Sequence, residues 1–268
     1  MTIPENKLET ASQENLSIAG VIGGVGPQAG LDFIQKIFSN TRALRDQDHV
    51  NCMLISCPSI IPDRTGFLLK SKQEESENPA LGMFECARRL YAAGVRFAAV
   101  ACNTAHSGQI FGPFCGMVRK SLPGLSIINM LETCAQFSKE TLHIKQLGLL
   151  ATIGTHKSRV YHEYFREEDG FLLIEPDEAG QEIVHDAIYN EDYGIKAHSQ
   201  KISSRAIDQV SDELHKMASR GAKAVILGCT ELPLAVQNLS FPVPVIDPGL
   251  ITARRLIELI APDKLRAL

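Results

Sequence analysis

Apolar runs of four to six residues recur along the chain, each closed by a glycine or polar turn and followed by a helical segment. The first, Ile18-Ala19-Gly20-Val21-Ile22-Gly23, reads as a buried strand turned by Gly24-Val25-Gly26-Pro27. Pro27 suits the first turn of a helix, which is expected to continue to about Arg45. A second strand is predicted over Val50–Ser56, then a loop through Pro62-Asp63-Arg64, a helix over Pro79–Ala93 ended by Gly94, and a third strand running into Cys102. A helix over Ser107–Leu122 and a fourth strand over Ser126–Asn129 complete this unit.

The pattern then restarts. Gln146-Leu147-Gly148-Leu149-Leu150 echoes the first strand, and Phe171–Ile174 supplies another. Helices are expected over Ala179–Tyr189 and from about Ser199 to Arg220, the second ended by Gly221 as the earlier helix is by Gly94. Ala224-Val225-Ile226-Leu227-Gly228-Cys229 repeats the cysteine strand, and the two cysteines lie 127 positions apart (229 − 102). Val243–Asp247 echoes the fourth strand, and a helix over Gly249–Ile260 closes the chain. Strands alternating with helices mean parallel sheets. A restart at one-domain length predicts an α/β protein of two similar domains, each a parallel sheet flanked by helices. The expected division is 17–129 plus 243–268 for the first domain and 130–242 for the second, after a loose tail over 1–16.

Composition narrows the classes. A chain of 268 residues with 44% hydrophobic and 22% charged residues is ordinary for a soluble enzyme. A net charge of −4 without a basic run argues against nucleic acid or an anionic membrane as partner. No apolar stretch reaches the roughly 18 residues needed to span a bilayer. The first 16 residues lack the apolar segment of a secretory signal, and the seven cysteines follow no metal or disulfide spacing. Free thiols without a signal suggest a cytoplasmic protein.

A cysteine at a strand end is commonly core filler, and Cys52, Cys86, Cys115 and Cys134 are assigned to packing, with Cys57 left open. Cys102 and Cys229 differ because they recur at equivalent places beside a threonine and a helix start, at the carboxyl ends of strands where open α/β sheets bind ligands. Helix N–H groups nearby are expected to favour their thiolates. Two facing thiols suit inversion of a carbon stereocentre, one removing a proton and the other returning one to the opposite face. Taken alone, Arg64 reads as a solvated loop arginine, and His106 either as a neighbour of the first thiol or as a histidine satisfied by backbone.

Gly23-Gly24-Val25-Gly26-Pro27, Cys102-Asn103-Thr104-Ala105-His106 and Gly228-Cys229-Thr230-Glu231-Leu232 together resemble the cofactor-independent aspartate/glutamate racemase family. The likeness covers nearly the whole chain from Ile18. It is closer to the aspartate racemase branch, because glutamate racemases open on Asp-Ser-Gly and carry His-Tyr-Pro after the second Cys-Thr. The resemblance implies two domains related by pseudo-twofold symmetry with the site between them, and Cys102 and Cys229 as the two acid–base thiols, Cys229 facing the proton of the L-enantiomer and Cys102 that of the D-enantiomer. It implies Arg64 on a substrate carboxylate, Lys196 on an acidic side chain, and Asn103, Thr104 and Thr230 around the α-amino and α-carboxylate groups. The backbone of Val25 and Gly26 is expected to border the site. The substrate would be an acidic amino acid, aspartate first with glutamate or a broader range as alternatives, handled without cofactor or metal, in a homodimer.

Other readings fit less of the chain. Gly24-x-Gly26-x-x-x-Gly30 departs from dinucleotide-binding spacing, and the second strand ends in Cys57-Pro58 rather than an acidic residue. No Schiff-base lysine stands out for pyridoxal chemistry. A hydrolase built on Cys102 and His106 leaves Cys229 unused. Glutamate racemase, hydantoin racemase and maleate isomerase stay open as relatives, as does a non-enzymatic small-ligand sensor with a redox-active thiol pair.

Overall fold

The computed structural model describes residues 17–237 and 239–268, so the tail expected over 1–16 lies outside the described residues. Strands β1 (Ile18–Gly23), β2 (Asn51–Ser56), β3 (Phe97–Val100) and β4 (Ser126–Ile128) form one parallel sheet in the order β2-β1-β3-β4. Strands β5 (Gln146–Leu150), β6 (Leu172–Ile174), β7 (Ala224–Leu227) and β8 (Val245–Ile246) form a second, in the order β6-β5-β7-β8. The orders match strand for strand, so the restart seen in the sequence is a repeat of topology. Both central cysteine strands are wholly or almost wholly buried, which is why they read as unbroken apolar runs rather than alternating ones.

The helices are α1 (Pro27–Ser39), α2 (Arg64–Leu69), α3 (Pro79–Ala92), α4 (Gly108–Ser121), α5 (Met130–Glu140), α6 (Ile153–Ser158), α7 (Val160–Tyr164), α8 (Glu178–Tyr189), α9 (Ser204–Ser219), α10 (Leu232–Val236) and α11 (Pro248–Ile260). Three boundaries depart from expectation. Helix α1 stops at Ser39 instead of reaching Arg45. Asn40 Nδ2 turns back to donate to the Lys36 carbonyl at 2.8 Å, and the Arg42 N–H donates to Lys264 O at 2.7 Å, tying this stretch to the C-terminal segment. Helix α9 begins at Ser204, not Ser199, because the Ser203 hydroxyl caps it by accepting from the Ala206 N–H at 3.1 Å. Residues 243–246, expected with the first half, belong with the second, since β8 pairs with β7. The chain returns to the first half only after Asp247.

That return is made by α11, whose Ala253, Leu256 and Ile257 are buried in the core built on β1 and β3. Helix α5, which follows the last strand of the first sheet, puts Leu131 and Cys134 into the core containing Leu147, Tyr161 and Phe165 of the second half. The two helices pack on each other, and α11 also packs on α1. Lys36 of α1 pairs with Asp247 at 2.6 Å and with Asp32. Each fully buried leucine or isoleucine in these seams stabilises the fold by about 1.5–3 kcal/mol. Nearer the site, α2 packs on α6, where a Cβ on Gly154 would stand 2.7 Å from Thr65 Oγ1. No helix among the described residues is long and apolar enough to cross a membrane.

Candidate active site

The carboxyl ends of β3 and β7 face one another. Cys102, two residues past β3, is 7% exposed, and Cys229, two residues past β7, is 6% exposed. Both line one small pocket, together with Arg64, Asn103 and Thr104 from the first half and Lys196 and Thr230 from the second. The halves are tied across it by hydrogen bonds. Thr230 Oγ1 donates to Ala101 O at 3.4 Å, Tyr161 OH donates to Asn103 Oδ1 at 2.7 Å, and Thr104 Oγ1 lies 2.8 Å from Thr155 Oγ1.

Arg64 is buried because α2 begins at it. The Asp63 side chain caps that helix by accepting from the Gly66 N–H at 2.5 Å, which turns the arginine inward instead of into solvent. Its Nη1 donates to Pro62 O at 3.2 Å and its Nη2 to the Val25 carbonyl. Burial opposes its charge, but Cys102, within hydrogen-bonding reach, together with Asp63 and Tyr189 holds the guanidinium protonated. Arg64 Nε and Asn103 Nδ2 are buried donors with no hydrogen-bond partner. Orphaned buried donors are uncommon in native proteins. Both belong to residues that line the pocket.

A family model described as Asp/Glu/hydantoin racemase matches residues 22–256. The chain belongs to that family. It is 28% identical to the structure of Picrophilus torridus aspartate racemase, with a TM-score of 0.76 over 93% of this chain and 96% of that one. The broad specificity amino-acid racemase RacX of Bacillus subtilis is 25% identical over 253 residues, 89% of this chain and 96% of its own. A glutamate racemase of Pediococcus pentosaceus is 28% identical over 171 residues, 62% of this chain and 58% of its own. The protein is thus an isomerase, with the two-domain α/β architecture expected from its sequence.

In this racemase every expected site side chain lines the pocket, whereas Val25 and Gly26, expected to border it by their backbone, do not: the Val25 carbonyl accepts from Arg64 Nη2 instead. Three further residues line it that the sequence reading did not select: Thr152, Tyr189 and Glu231. Glu231 stood in the quoted Cys-Thr-Glu run, and Thr152 closes the strand that echoes β1, so each had a positional signal. Tyr189 had none. Its hydroxyl donates to Asp63 Oδ2 at 3.1 Å, and Lys196 Nζ lies 5.3 Å from its ring centre.

Lys196 reaches the pocket already paired, its Nζ meeting Glu231 Oε1 at 2.5 Å. A further expectation needs correction: a helix start does not favour a thiolate at Cys229. The helix after it is only five residues long. Burial pushes that thiol well above its ordinary pKa, and Glu231, whose Oε2 accepts from Sγ at 3.0 Å, pushes it further than Lys196 pulls it back. Burial alone would favour neutral Glu231 too, but Lys196 and the Cys229 hydrogen bond outweigh it and keep the carboxylate ionised.

His106 is held by backbone. Its Nδ1–H donates to Cys102 O at 2.8 Å, and its Nε2 accepts from the Met130 N–H at 3.3 Å. Complete burial lowers its pKa to about 4, so it is a neutral strut under the first cysteine turn. Cys86 and Cys134 are core residues, Cys52 and Cys115 are half-buried, and Cys57 lies against Arg89 at 3.6 Å, outside the pocket. Among the described residues no group of three or more His, Cys, Asp or Glu side chains could hold a metal ion.

Proposed function

We propose that this protein racemises aspartate without a cofactor, inverting Cα by proton transfer between Cys102 and Cys229. The observation that carries the reading is the convergence of the two thiols, one from each repeat, on a single pocket with a buried arginine. One thiolate removes the Cα proton and the opposite thiol delivers its own to the other face. Arg64 holds the α-carboxylate, and its charge offsets the charge that develops on the carbanion. Asn103 Nδ2, Thr104 and Thr230 complete the polar cradle. The likeness to an aspartate racemase over nearly the full chain supports the acidic substrate.

The test is proton NMR in heavy water with D- and L-forms of aspartate, glutamate, alanine and homoserine. Both enantiomers of aspartate are expected to lose the Cα–H signal fastest. If no amino acid exchanges, the reading fails.

The Lys196–Glu231 pair favours a second reading, a racemase of broader specificity. A lysine already neutralised inside the protein selects less strongly for an acidic side chain, and a relative of broad specificity is among the similar proteins. Lys196→Ala decides between the two. For an aspartate enzyme the ratio of aspartate to alanine kcat/KM is expected to fall about tenfold or more, on the scale that ~1.4 kcal/mol is tenfold. An unchanged ratio would mean that Lys196 serves Glu231 alone. The variant leaves a buried carboxylate without its cation, a loss of about 3 kcal/mol or more, so the comparison is made below its melting temperature.

A further inference from the structure

We propose that Cys57 is a site of reversible oxidation, reacting with a hydroperoxide at its sulfur and then closing a disulfide with Cys86 that disturbs the brace of Arg64. The pair lies outside the pocket. Cys57 directly follows β2 and is half-buried, while Cys86 sits on α3, fully buried against the same sheet. The two side chains are within hydrogen-bonding reach of each other, although 29 positions apart (86 − 57). Arg89, three residues further along α3, donates from Nη1 to Cys57 Sγ at 3.6 Å. It is held in place by Glu85, whose Oε1 accepts from Arg89 Nε at 2.9 Å. A fixed guanidinium against an accessible sulfur favours reaction with a peroxide, which proceeds through the thiolate. Cys86 has no such access. Burial first, then the neighbouring Cys57, push its pKa up to about 12, so it stays a thiol while its neighbour is attacked.

The chemistry balances in two steps. Cys57–SH and a hydroperoxide ROOH give Cys57–SOH and ROH. The Cys86 sulfur then attacks the oxidised sulfur, its S–H bond breaks, the S–S bond forms, and the hydroxyl leaves with that proton as water. Two thiols lose two electrons in all, and the peroxide gains them. An added dithiol reverses the change. Packing around Cys57 carries it to the site. A Cβ on Gly24 would stand 2.6 Å from the Cys57 nitrogen, and one on Gly82 would overlap Ile60 O. The backbone of 57–60 is thus wedged between the turn after β1 and α3. The two carbonyls that hold Arg64 flank this wedge: Val25 follows Gly24 in the turn, and Pro62 lies two residues past Ile60. Drawing Cys57 onto α3 disturbs both ends of that brace.

The test treats the full chain with graded hydrogen peroxide, then with or without dithiothreitol, and follows racemase activity beside tryptic peptide mapping. The expected product is peptide 46–64 joined to peptide 73–88, with fragmentation placing the bond on Cys57 rather than Cys52. The kcat/KM is expected to fall about tenfold or more, the scale of a displaced substrate-holding group, and to return with dithiothreitol. Cys57→Ser should match the untreated wild type and keep its activity at the dose that disables the wild type. In Cys86→Ala, Cys57 should stop at the sulfenic acid and take up dimedone. Absence of the joined peptide, or equal loss of activity in Cys57→Ser and wild type, overturns the proposal. A joined peptide with full activity overturns the coupling to Arg64. That coupling rests on the racemase reading above, whereas the oxidation site does not. If the untreated protein exchanges no amino acid, the racemase reading fails and the peptide map still decides between Cys57 and the other thiols.

Discussion

Alanine in place of either Cys102 or Cys229 is expected to stop racemisation, with a loss of about a thousandfold or more, because two-sided proton transfer cannot proceed with one side missing. The informative result lies in what survives. A variant with one thiol left can still remove a proton and return one to the same face, which exchanges hydrogen with solvent but does not invert. With Cys229 removed, Cys102 should wash deuterium into D-aspartate alone, and with Cys102 removed, Cys229 should do so into L-aspartate alone. Paired NMR and polarimetry on each enantiomer in heavy water read both quantities. Each thiol is small and lines the pocket wall, so the truncation leaves the sheets untouched and a normal melting curve should accompany the loss. Racemisation near the wild-type rate in either variant would mean that the proton has another donor, and the two-thiol mechanism would be wrong.

Arg64→Ala is expected to lower kcat/KM by two or more orders of magnitude, roughly 2.7 kcal/mol or more of transition-state stabilisation. The reason is the arrangement of its donors. Two guanidinium nitrogens are spent on the Val25 and Pro62 carbonyls, which fix the plane of the group, and Nε is buried without a protein partner. A substrate carboxylate brought into this pocket without the cation would be an uncompensated buried charge. Arg64→Lys should rescue little, since an ammonium cannot reproduce a fork that braces two carbonyls and still presents a further donor. A merely structural arginine would give the opposite pattern, a lowered melting temperature with unchanged efficiency in the folded fraction. Steady-state kinetics beside thermal melts separate the two.

The parts of this architecture that repeat were legible in the chain. Buried parallel strands are apolar on both faces, so β3 and β7 stood out as unbroken runs, and the cysteine after each was visible because it occurred twice. Element ends were less legible because distant chain decides them. Asn40 and Arg42 are claimed by Lys36 and by the C-terminal segment, and nothing near Arg45 announces that. Strand β8 was assigned to the wrong half for the same reason, since two residues pairing with β7 carry no local mark of which sheet they join.

In the site, position was easier to read than charge. Cys229 was found, but the thiolate expected of it was not, since its ionisation depends on Glu231 and Lys196, which lie 35 positions apart and meet only in the fold. Tyr189 ends a helix like many tyrosines, and only the reach of its hydroxyl to Asp63 and Thr65 of the first half marks it as a pocket residue.

The crossing of α5 and α11 has a consequence for how the molecule holds together. Each half ends its sheet in one core and sends its last helix into the other, so the repeats have exchanged an equivalent element in the manner of a swapped dimer joined into one polypeptide. Neither core is closed by its own sequence. Removing the second repeat would strip α11 from the first, and removing the first would strip α5 from the second, so the two cannot be parted as self-contained modules. The stretches that make the exchange run through residues 129–145 and 246–248, and they bound any separation of the two thiol-bearing walls. The faces that carry Cys102 and Cys229 are therefore joined twice, through the packed pair of shared helices and through the hydrogen bonds that cross the pocket.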